Sequence, residues 1–247
     1  MKILFTICGR AGSKGIKNKN ICNFVGKPLP YYSLSALDLY LKKHKVESDI
    51  VVNTDSQELI NLMKHNGLRP VDIINRDVSL AGDIIGKIEV IKNCFIIMSE
   101  RRQTRYDIVV DLDITSPLRT VSDIDTLIKV HAEKKPDVTT SVTTARRNPY
   151  FNQVMKTDHG FQPVIKTDFT SRQQAPAVYD MNASLYAYNP DFLKTNKGIF
   201  DGYCEVIEMM DTAILDLDHP HDLEMMEVIA TYLFNNNQDY RNIYTNI

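Results

Sequence analysis

Hydrophobic positions along the 247-residue chain form short continuous runs, separated by longer segments in which apolar residues recur at helical spacing. Short apolar runs predict buried strands, and a period near 3.6 residues predicts helices packed against them. The predicted strands are residues 3–8, 50–53, 71–74, 108–112 and 138–142, and the predicted helices are 29–42, 57–65, 83–101 and 122–134. Ser122, three residues before Asp125, is interpreted as the N-cap of the last helix. Strands alternating with helices are typical of a three-layer α/β fold with a mostly parallel sheet.

The pattern changes after residue 145. Residues 148–179 contain three prolines and a predicted hairpin, with strands at 154–156 and 164–166 around Asp158-His159-Gly160. This segment has too little apolar content for a core of its own, so we predict an excursion that a partner stabilises. The chain then returns as a strand at 184–188 and ends in a helix at 220–234. We therefore predict one domain, residues 1–247, with an excursion at 148–179.

Charge is nearly balanced overall but unevenly distributed along the chain. With 29 Lys and Arg against 31 Asp and Glu, the net charge of -2 excludes a generally basic nucleic-acid binder. A hydrophobic content of 43% excludes a disordered chain. Residues 1–37 carry six Lys or Arg and no acid, whereas residues 198–240 carry ten Asp or Glu and no Lys or Arg. This split predicts an anion site early in the chain and suggests a cation site late in it.

The cysteines and the apolar stretches bear on the compartment. Four cysteines lie far apart without C-x-x-C spacing, which favours reduced thiols. No secretory signal is visible, and no apolar stretch approaches the roughly 20 residues that span a bilayer. These patterns predict a cytoplasmic protein with no membrane partner.

A glycine-rich basic loop follows the first predicted strand directly. It runs Gly9-Arg10-Ala11-Gly12-Ser13-Lys14-Gly15 and is followed by Lys19-Asn20. Glycines let backbone N–H groups approach a phosphate, and Arg and Lys neutralise its charge. The loop has neither Walker nor dinucleotide-binding spacing. A flexible basic surface loop is the alternative, but its position at the carboxyl end of a strand favours an anion site.

Two Asp-Leu-Asp tripeptides are candidates for carboxylate chemistry. Asp111 and Asp113 fall on one face of the predicted strand 108–112, where two carboxylates would repel each other unless a cation or a proton intervenes. Alternatively, one of them faces solvent and the other caps the following turn. Asp216 and Asp218 have the spacing and the hard oxygen ligands that suit Mg²⁺. For Asp218 the alternative is an N-cap of the helix beginning near residue 220.

Other polar residues offer chemistry for a polar ligand. Arginine presents a fork for carboxylates, and asparagine presents an amide pair. The candidates are Arg146, Arg147, Arg172 and Asn182, for which loop solvation or an interface is the alternative interpretation. His219 and His221 lack the spacing of a transition-metal site and are interpreted as surface residues.

Taken together, these motifs resemble the cytidylyltransferases that activate nine-carbon keto sugar acids, the CMP-sialic acid synthetases and their CMP-legionaminic and CMP-pseudaminic relatives. The family pattern A-R-x-G-S-K-G followed by K-N corresponds to Gly9–Gly15 and Lys19-Asn20. Its S-T-D, R-P-x-x-L-A-x-D and Q-P-T-S-P-L-R motifs correspond, in order, to the segments at 53–55, 76–83 and 113–119. Its R-Q-x-x-P-x-x-x-x-x-N-G-x-x-Y and D-I-D-T motifs correspond to the segments at 172–186 and 216–219. The matches extend from residue 3 to about residue 224. Residues 146–152 and 180–184 resemble the legionaminic-acid branch most.

The resemblance implies a Rossmann-like nucleotidyltransferase fold, a homodimer built through residues 148–179, and Mg²⁺ as cofactor, with Mn²⁺ as a substitute. It implies transfer of CMP from CTP to the anomeric hydroxyl of a nonulosonic acid, with release of pyrophosphate. The implied catalytic residues are Arg10, Lys19 and Asp218, and the implied metal ligands are Asp216 and Asp218. The implied nucleotide-binding residues are Arg10, Gly12, Ser13, Lys14, Lys19, Asn20, Arg76 and Asp83. The implied sugar-binding residues are Asp113, Thr115, Ser116, Arg146, Arg147, Arg172, Gln173, Tyr179 and Asn182.

The chain departs from the family pattern at the sugar side. Asp113 and Ile114 stand where the sialic acid enzymes have Gln and Pro, which argues against ordinary N-acetylneuraminate as the acceptor. Legionaminic or N-acetylneuraminic acid types of acceptor are expected. The alternatives are another acidic acceptor such as a deoxy-octulosonate, or a nucleotide-binding protein of this fold without turnover.

Overall fold

The fold was analysed on a computed structural model that describes residues 1–12, 15–82 and 85–247, without the side chains of Arg172 and Ile214. The strands are β1 (Lys2–Cys8), β2 (Asn23–Phe24), β3 (Lys27–Pro28), β4 (Glu47–Thr54), β5 (Asp72–Asn75), β6 (Ile108–Leu112), β7 (Val138–Thr144), β8 (Val154–Thr157), β9 (Gly160–Pro163), β10 (Tyr179–Tyr188) and β11 (Cys204–Glu208). The helices are α1 (Leu29–Lys43), α2 (Gln57–Lys64), α3 (Lys87–Arg102), α4 (Val121–Lys134), α5 (Pro190–Leu193), α6 (Pro220–Asn236) and α7 (Gln238–Asn246).

A seven-stranded sheet forms the centre of the molecule, in the order β11-β7-β10-β6-β1-β4-β5. β1 pairs in parallel with β4 and β6, and β4 pairs in parallel with β5. β10 is antiparallel to both of its neighbours, β6 and β7, and β11 is again parallel to β7. The predicted α/β class with a mostly parallel sheet is confirmed.

The two faces of the sheet are covered by different helices. Alternation along β1 sends Ile3, Phe5 and Ile7 to one face and Leu4 to the other. The first face packs on apolar residues of α1, α2, α4, α6 and α7, whereas the second packs on those of α3 and α5. The result is the predicted three-layer arrangement, which leaves the carboxyl ends of β1 and β6 as the edge where side chains can meet a ligand.

One predicted N-cap and one predicted helix start differ from the structure. The strand at 108–112 has the predicted bounds, but the N-cap of α4 is Thr120, not Ser122. Thr120 accepts a hydrogen bond from the Asp123 backbone N–H, and the Asp123 carboxylate accepts from the Thr120 N–H, which satisfies two donors at once. The predicted helix starting at residue 83 begins at Lys87 in the described part of the chain.

The predicted hairpin exists, but its second strand is Gly160–Pro163, not 164–166. Thr157 pairs with Gly160 around a two-residue turn, and Gly160 has a φ of 91°, a conformation that glycine adopts without strain. Because the turn has only two residues, the second strand begins at Gly160.

The sequence did not predict β2, β3, α5, β11 or α7. β11 is a short edge strand that carries two glutamates, and α7 is a polar helix whose buried contacts come from Tyr240 and Ile243. The four cysteines, which all lie in the described part of the chain, are free, as predicted. Within the described residues no helix has the length and apolarity needed to cross a bilayer.

Candidate active site

A cleft of about 430 Å³ opens at the carboxyl ends of β1 and β6. It brings together most of the residues singled out in the early and late parts of the chain. Its polar lining comprises Arg10, Lys19, Asn20, Arg76, Lys87, Asp113, Thr115, Asp216 and Asp218. The basic segment after the first strand and the acidic segment near residue 216 therefore face one another across a single cavity.

The basic loop is held at both ends of its described part. The Ala11 N–H donates to the Asp55 carboxylate at 2.7 Å, and the largely buried Asn20 amide donates to the Arg10 carbonyl at 2.9 Å. Gly15 lies so close to the Asp218 carbonyl that a Cβ on it would come within 1.8 Å of that oxygen. Only glycine fits there without moving one segment away from the other.

Lys19 makes the direct link between the two segments. Its Nζ lies 3.0 Å from Oδ1 of Asp218, and the lysine is mostly buried whereas the aspartate side chain is 65% exposed. An ion pair that is open to water contributes little stability. Its value lies in keeping a cation and a carboxylate side by side at the cleft.

Arg76 reaches the cleft from the end of β5. Its guanidinium donates to the Asn53 side chain at 2.8 Å and to the Asn53 carbonyl at 3.0 Å, and its backbone N–H donates to Thr54. The carboxyl end of β4 thus orients this arginine at the cleft wall.

The Asp111 and Asp113 carboxylates share one cation, Lys87 of α3. Lys87 Nζ lies 2.6 Å from Asp111 Oδ2 and also contacts Asp113 Oδ2. Asp111 is fully buried and accepts from the Thr6 hydroxyl at 2.6 Å. Asp113 Oδ1 accepts from the Thr115 N–H and hydroxyl, at 2.8 and 2.7 Å. The repulsion expected from the sequence is relieved inside the protein.

The pKa shifts at these groups follow from this geometry. Burial raises the pKa of Asp113, but Lys87 and the Thr115 donors outweigh it and lower the pKa to about 2. Burial also opposes the charge on Lys87, yet the two carboxylates raise the pKa of Lys87 well above its usual range. Asp113 and Lys87 are therefore both charged at neutral pH.

Asp216 and Asp218 lie in a different environment, on an irregular segment between a 3-10 turn and α6. Leu217 between them is fully buried, and its N–H donates to the Thr115 carbonyl at 3.2 Å. Asp216 Oδ1 is buried and has no hydrogen-bond partner among the described residues. Burial, together with the charges of Asp113 and Asp218, raises the pKa of Asp216.

Asp218 is not the N-cap of α6, so that alternative was wrong. The N-cap residue is His219, and the Asp222 carboxylate accepts from the N–H groups of Asp218 and His219 at 3.0 and 2.6 Å. The Asp218 carboxylate is left for Lys19 and the cleft.

This pair fits a hard divalent cation. An unpartnered buried carboxylate oxygen gains most from a cation, and Mg²⁺ takes one or two carboxylates and completes its shell with substrate phosphates and water. Within the described residues no group of three or more His, Cys, Asp or Glu is placed to hold a metal ion. Oxygens from a substrate are therefore required to complete such a site.

A buried arginine fixes the loop between β6 and α4. Arg119 is fully buried and donates to the hydroxyls of Ser184 and Ser33, at 3.1 and 3.0 Å, and to the carbonyls of Asp113 and Ser116. Four neutral acceptors hold this one side chain, which locks the backbone that carries Asp113 and Thr115.

Several predicted sugar-binding residues do not line the cleft of their own chain. Arg146 is exposed and paired with Asp211, and Arg147, Gln173 and Tyr179 are exposed elsewhere. Asn182 is only 2% exposed, and its carbonyl oxygen accepts from the Ser141 hydroxyl at 2.6 Å, at a bulge in β10.

The other predicted residues fall as follows. Ser116 is buried beside Arg119, and Gly12 has the positive φ of 71° that suits glycine but does not line the cleft. Ser13, Lys14 and Asp83 lie outside the described residues, as does the Arg172 side chain. For all of these residues, binding to nucleotide or sugar stays a prediction.

Lys87 is the cleft residue that sequence reasoning missed. It precedes Asp111 by 24 positions and lies in a segment predicted as an amphipathic helix, where a lysine is unremarkable. The one available signal was the paired carboxylates themselves, which required a cation from somewhere in the fold.

The known proteins that this chain resembles are consistent with the chemistry of this cleft. Residues 4–242 match the cytidylyltransferase family. The chain is 33% identical over 229 residues to the post-translational flagellin modification protein B of Campylobacter coli, covering 92% of this chain and 94% of the relative. It is 32% identical over 230 residues to the CMP-N,N'-diacetyllegionaminic acid synthase of Campylobacter jejuni, covering 93% and 95% of the two chains.

Solved structures with the same fold include a CMP-2-keto-3-deoxy-manno-octonic acid synthetase complexed with CTP. That chain is 15% identical, with a TM-score of 0.65, and 94% of this chain and 99% of that one are covered. A 4-diphosphocytidyl-2C-methyl-D-erythritol synthase from Anaerococcus prevotii has a TM-score of 0.57 at 11% identity, with 93% and 99% covered. The family match over nearly the whole length, together with a charged cleft at the carboxyl ends of the sheet, establishes that this chain belongs to the cytidylyltransferase family and is an enzyme of that type.

Proposed function

We propose that this enzyme transfers CMP from CTP to the anomeric hydroxyl of a nine-carbon keto sugar acid of the legionaminic or N-acetylneuraminic acid type, and releases pyrophosphate. The observation that carries the proposal is the cleft in which Lys19 and Asp218 lie 3.0 Å apart. It supplies cations for a triphosphate and carboxylates for a metal ion in one cavity.

The relatives support the choice of acceptor. The CMP-N,N'-diacetyllegionaminic acid synthase matches along 93% of this chain at 32% identity, whereas N-acylneuraminate and pseudaminic acid cytidylyltransferases match at 26%. The octonic acid synthetase shares the fold alone, at 15% identity. A legionaminic type of acid is therefore the first acceptor to test.

At the α-phosphorus the reaction makes one bond and breaks one. The anomeric hydroxyl of the acceptor loses its proton to water and its oxygen bonds to the α-phosphorus of CTP. The bond from that phosphorus to the bridging oxygen breaks, and pyrophosphate leaves with that oxygen. Such a transfer needs positioning and charge neutralisation more than covalent help from the protein. Arg10 and Lys19 face the negative charge of the triphosphate and of the leaving pyrophosphate.

The remaining polar residues orient the substrates. Asn20 and Arg76 both line the cleft and are fixed by hydrogen bonds to the backbone, and they hold the nucleotide. Ser13, Lys14, Gly12 and Asp83 are proposed to complete the nucleotide site. Asp113 and Thr115 form the floor next to the acceptor.

Asp216 and Asp218 would hold Mg²⁺, or Mn²⁺ in its place. The bound ion would neutralise phosphate charge and polarise the phosphorus–oxygen bonds. The protein's own contribution is the unpartnered Asp216 oxygen and the Lys19 contact that orients Asp218.

We further propose that the enzyme is a homodimer and that residues 148–179 form the excursion that makes it. Apolar side chains stand exposed on this segment, among them Phe161 at 72%, together with Val154 and Val164. Exposed apolar groups clustered on one hairpin mark an association surface. Arg146, Arg147, Arg172, Gln173 and Tyr179 would then act at the acceptor side, where a second chain completes the site. Asn182, buried in β10, would support this side of the site without touching the acceptor.

The dimer is tested with Phe161→Asp against Gln162→Asp, a neighbouring exposed position on the same strand. Light scattering is expected to give a dimer for the wild type and the control, and a monomer for Phe161→Asp. A monomeric wild type would contradict the dimer.

The function is tested by pyrophosphate release with CTP and a panel of acids comprising a legionaminic acid, N-acetylneuraminate, a pseudaminic acid and a deoxy-octulosonate. Turnover is expected with a nine-carbon acid and to be highest with the legionaminic type. Preference for the octulosonate would replace the acceptor class. Binding of CTP without turnover on any acid would indicate a nucleotide-binding protein instead.

A further inference from the structure

The position of Lys87 is not explained by the helix that carries it. Lys87 is the first residue of α3, where the positive end of the helix dipole disfavours a cation. Its side chain is 31% exposed and extends across the cleft edge to Asp111 and Asp113. The contacts with Asp111 and Asp113, and not the helix, therefore explain a lysine at this position.

The place that Lys87 Nζ occupies has the character of a divalent-cation site. Asp111 lies buried near the end of β6 and Asp113 directly follows that strand at the cleft, and each directs its Oδ2 to one point. Their Oδ1 atoms are already taken by Thr6 and Thr115, so the two Oδ2 atoms are left for a cation. Carboxylate oxygens converging beside a phosphate-binding cleft are ligands that Mg²⁺ or Mn²⁺ accepts.

We infer that Lys87 is a positioning residue that serves as a built-in cation, filling the place between Asp111 and Asp113 that a divalent metal ion would otherwise take. The ammonium group leaves Asp216 and Asp218 as the carboxylate pair that is open to metal. It also keeps Asp113 turned toward Thr115, whose carbonyl holds Leu217 between Asp216 and Asp218. Lys87 thus keeps a metal ion out of the place between Asp111 and Asp113, and it helps to hold the segment that carries Asp216 and Asp218.

The inference rests on the proposed metal site only for the number of ions that the wild type binds. The change caused by removing the lysine is independent of that number. The two ideas can therefore fail separately.

The experiment is a Mn²⁺ titration followed by electron paramagnetic resonance, with and without CTP. Lys87→Ala opens the space and removes the charge, Lys87→Arg keeps the charge, and the double variant Lys87→Ala with Asp111→Asn removes one of the two carboxylates. With CTP the wild type is expected to bind one ion, Lys87→Ala two, and both other variants one.

An unchanged ion count in Lys87→Ala overturns the inference, and so does an extra ion that persists in the double variant. A wild type without bound Mn²⁺ would overturn the metal assignment at Asp216 and Asp218, while a gain of one ion in Lys87→Ala would still support the role of Lys87.

Thermal unfolding covers the case in which Lys87→Ala is unstable. Two uncompensated carboxylates are expected to lower its melting temperature in chelator, and Mn²⁺ is expected to restore it. The Arg variant is expected to show no such metal response. A Lys87→Ala protein that stays unfolded in Mn²⁺ contradicts the inference.

Discussion

Two Asp-Leu-Asp tripeptides each contribute to the lining of the same cleft, the first through Asp113 and the second through both aspartates, and the fold gives them opposite properties. Asp111 and Asp113 end a central strand, and their carboxylates are neutralised by Lys87 and hydrogen-bonded by threonines. Asp216 and Asp218 lie on an irregular segment, where one oxygen has no partner in the described structure and the second aspartate is mostly exposed. We call these the closed pair and the open pair. Identical side chains at identical spacing thus serve stability in one place and offer ligands in the other.

The largest expected effect separates the pairs by activity. Asp216→Asn or Asp218→Asn removes a ligand charge from the open pair, and the turnover number is expected to fall about 10²–10³-fold. Pyrophosphate release at saturating CTP and Mg²⁺ measures it. Glu224→Gln, an exposed change on the next helix, is the matched control and should be neutral. Full activity in both aspartate variants would refute the metal assignment.

The next effect separates the pairs by stability. Asp111→Asn weakens the contact with Lys87 in a buried site, and the free energy of unfolding is expected to fall by about 2 kcal/mol. Urea unfolding of the metal-free protein measures this loss. The Mg²⁺ concentration for half-maximal activity is expected to stay within about twofold of the wild type. A large rise in that concentration, with stability unchanged, would show that the closed pair binds metal.

The strands and loops of the site could be predicted from the sequence because both carry local signals. The buried runs of β1 and β6 and the glycines after β1 are visible in the sequence, and so is the charge of the segment at 216–218. Contacts between residues that are distant in the sequence could not be predicted in this way. The Lys87 contact with Asp111 and Asp113 depends on how α3 docks on the sheet, which no local pattern encodes.

The cap of α4 shows a different kind of failure. Thr120 and Asp123 form a capping box whose spacing is present in the sequence, two positions before the predicted cap Ser122. Asn182 shows a third kind, because an asparagine in a polar loop motif turned out to lie in the core of β10, satisfied by Ser141. Polarity alone does not predict exposure.

A pH experiment sharpens the comparison further. The pKa of Asp216 is raised, so protons compete with the metal at a higher pH than at an ordinary aspartate, and Mn²⁺ affinity is expected to start falling above the usual aspartate range as the pH is lowered. Asp113 has a pKa lowered to about 2, so its stabilising contribution is fully present above the unfolded-state value near 3.9 and is lost only as the pH falls through about 2. In the Lys87→Arg variant the metal titration should keep the wild-type pH profile. A Mn²⁺ affinity that falls only within or below the usual aspartate range would contradict the raised pKa of Asp216.

The smallest expected effect is a gain in stability. A raised pKa means that ionised Asp216 destabilises the metal-free fold, because the folded state prefers the protonated form. Asp216→Asn is expected to raise the melting temperature of the metal-free protein by about 1–3 °C. Calorimetry in chelator checks this, and a lower melting temperature would mean that the open pair stabilises the fold.

The close approach of Gly15 to Asp218 links the assembly of the cleft to the order in which the chain is synthesised. The Lys19 and Asp218 side chains that meet at the cleft are 199 positions apart in the chain. Synthesis delivers the basic loop before the acidic segment, so a nascent chain can form β1 and its loop before the partner segment exists. The cleft is completed only when the segment before α6 docks on the loop at Gly15. We therefore expect activity on nucleotide to require this long-range contact.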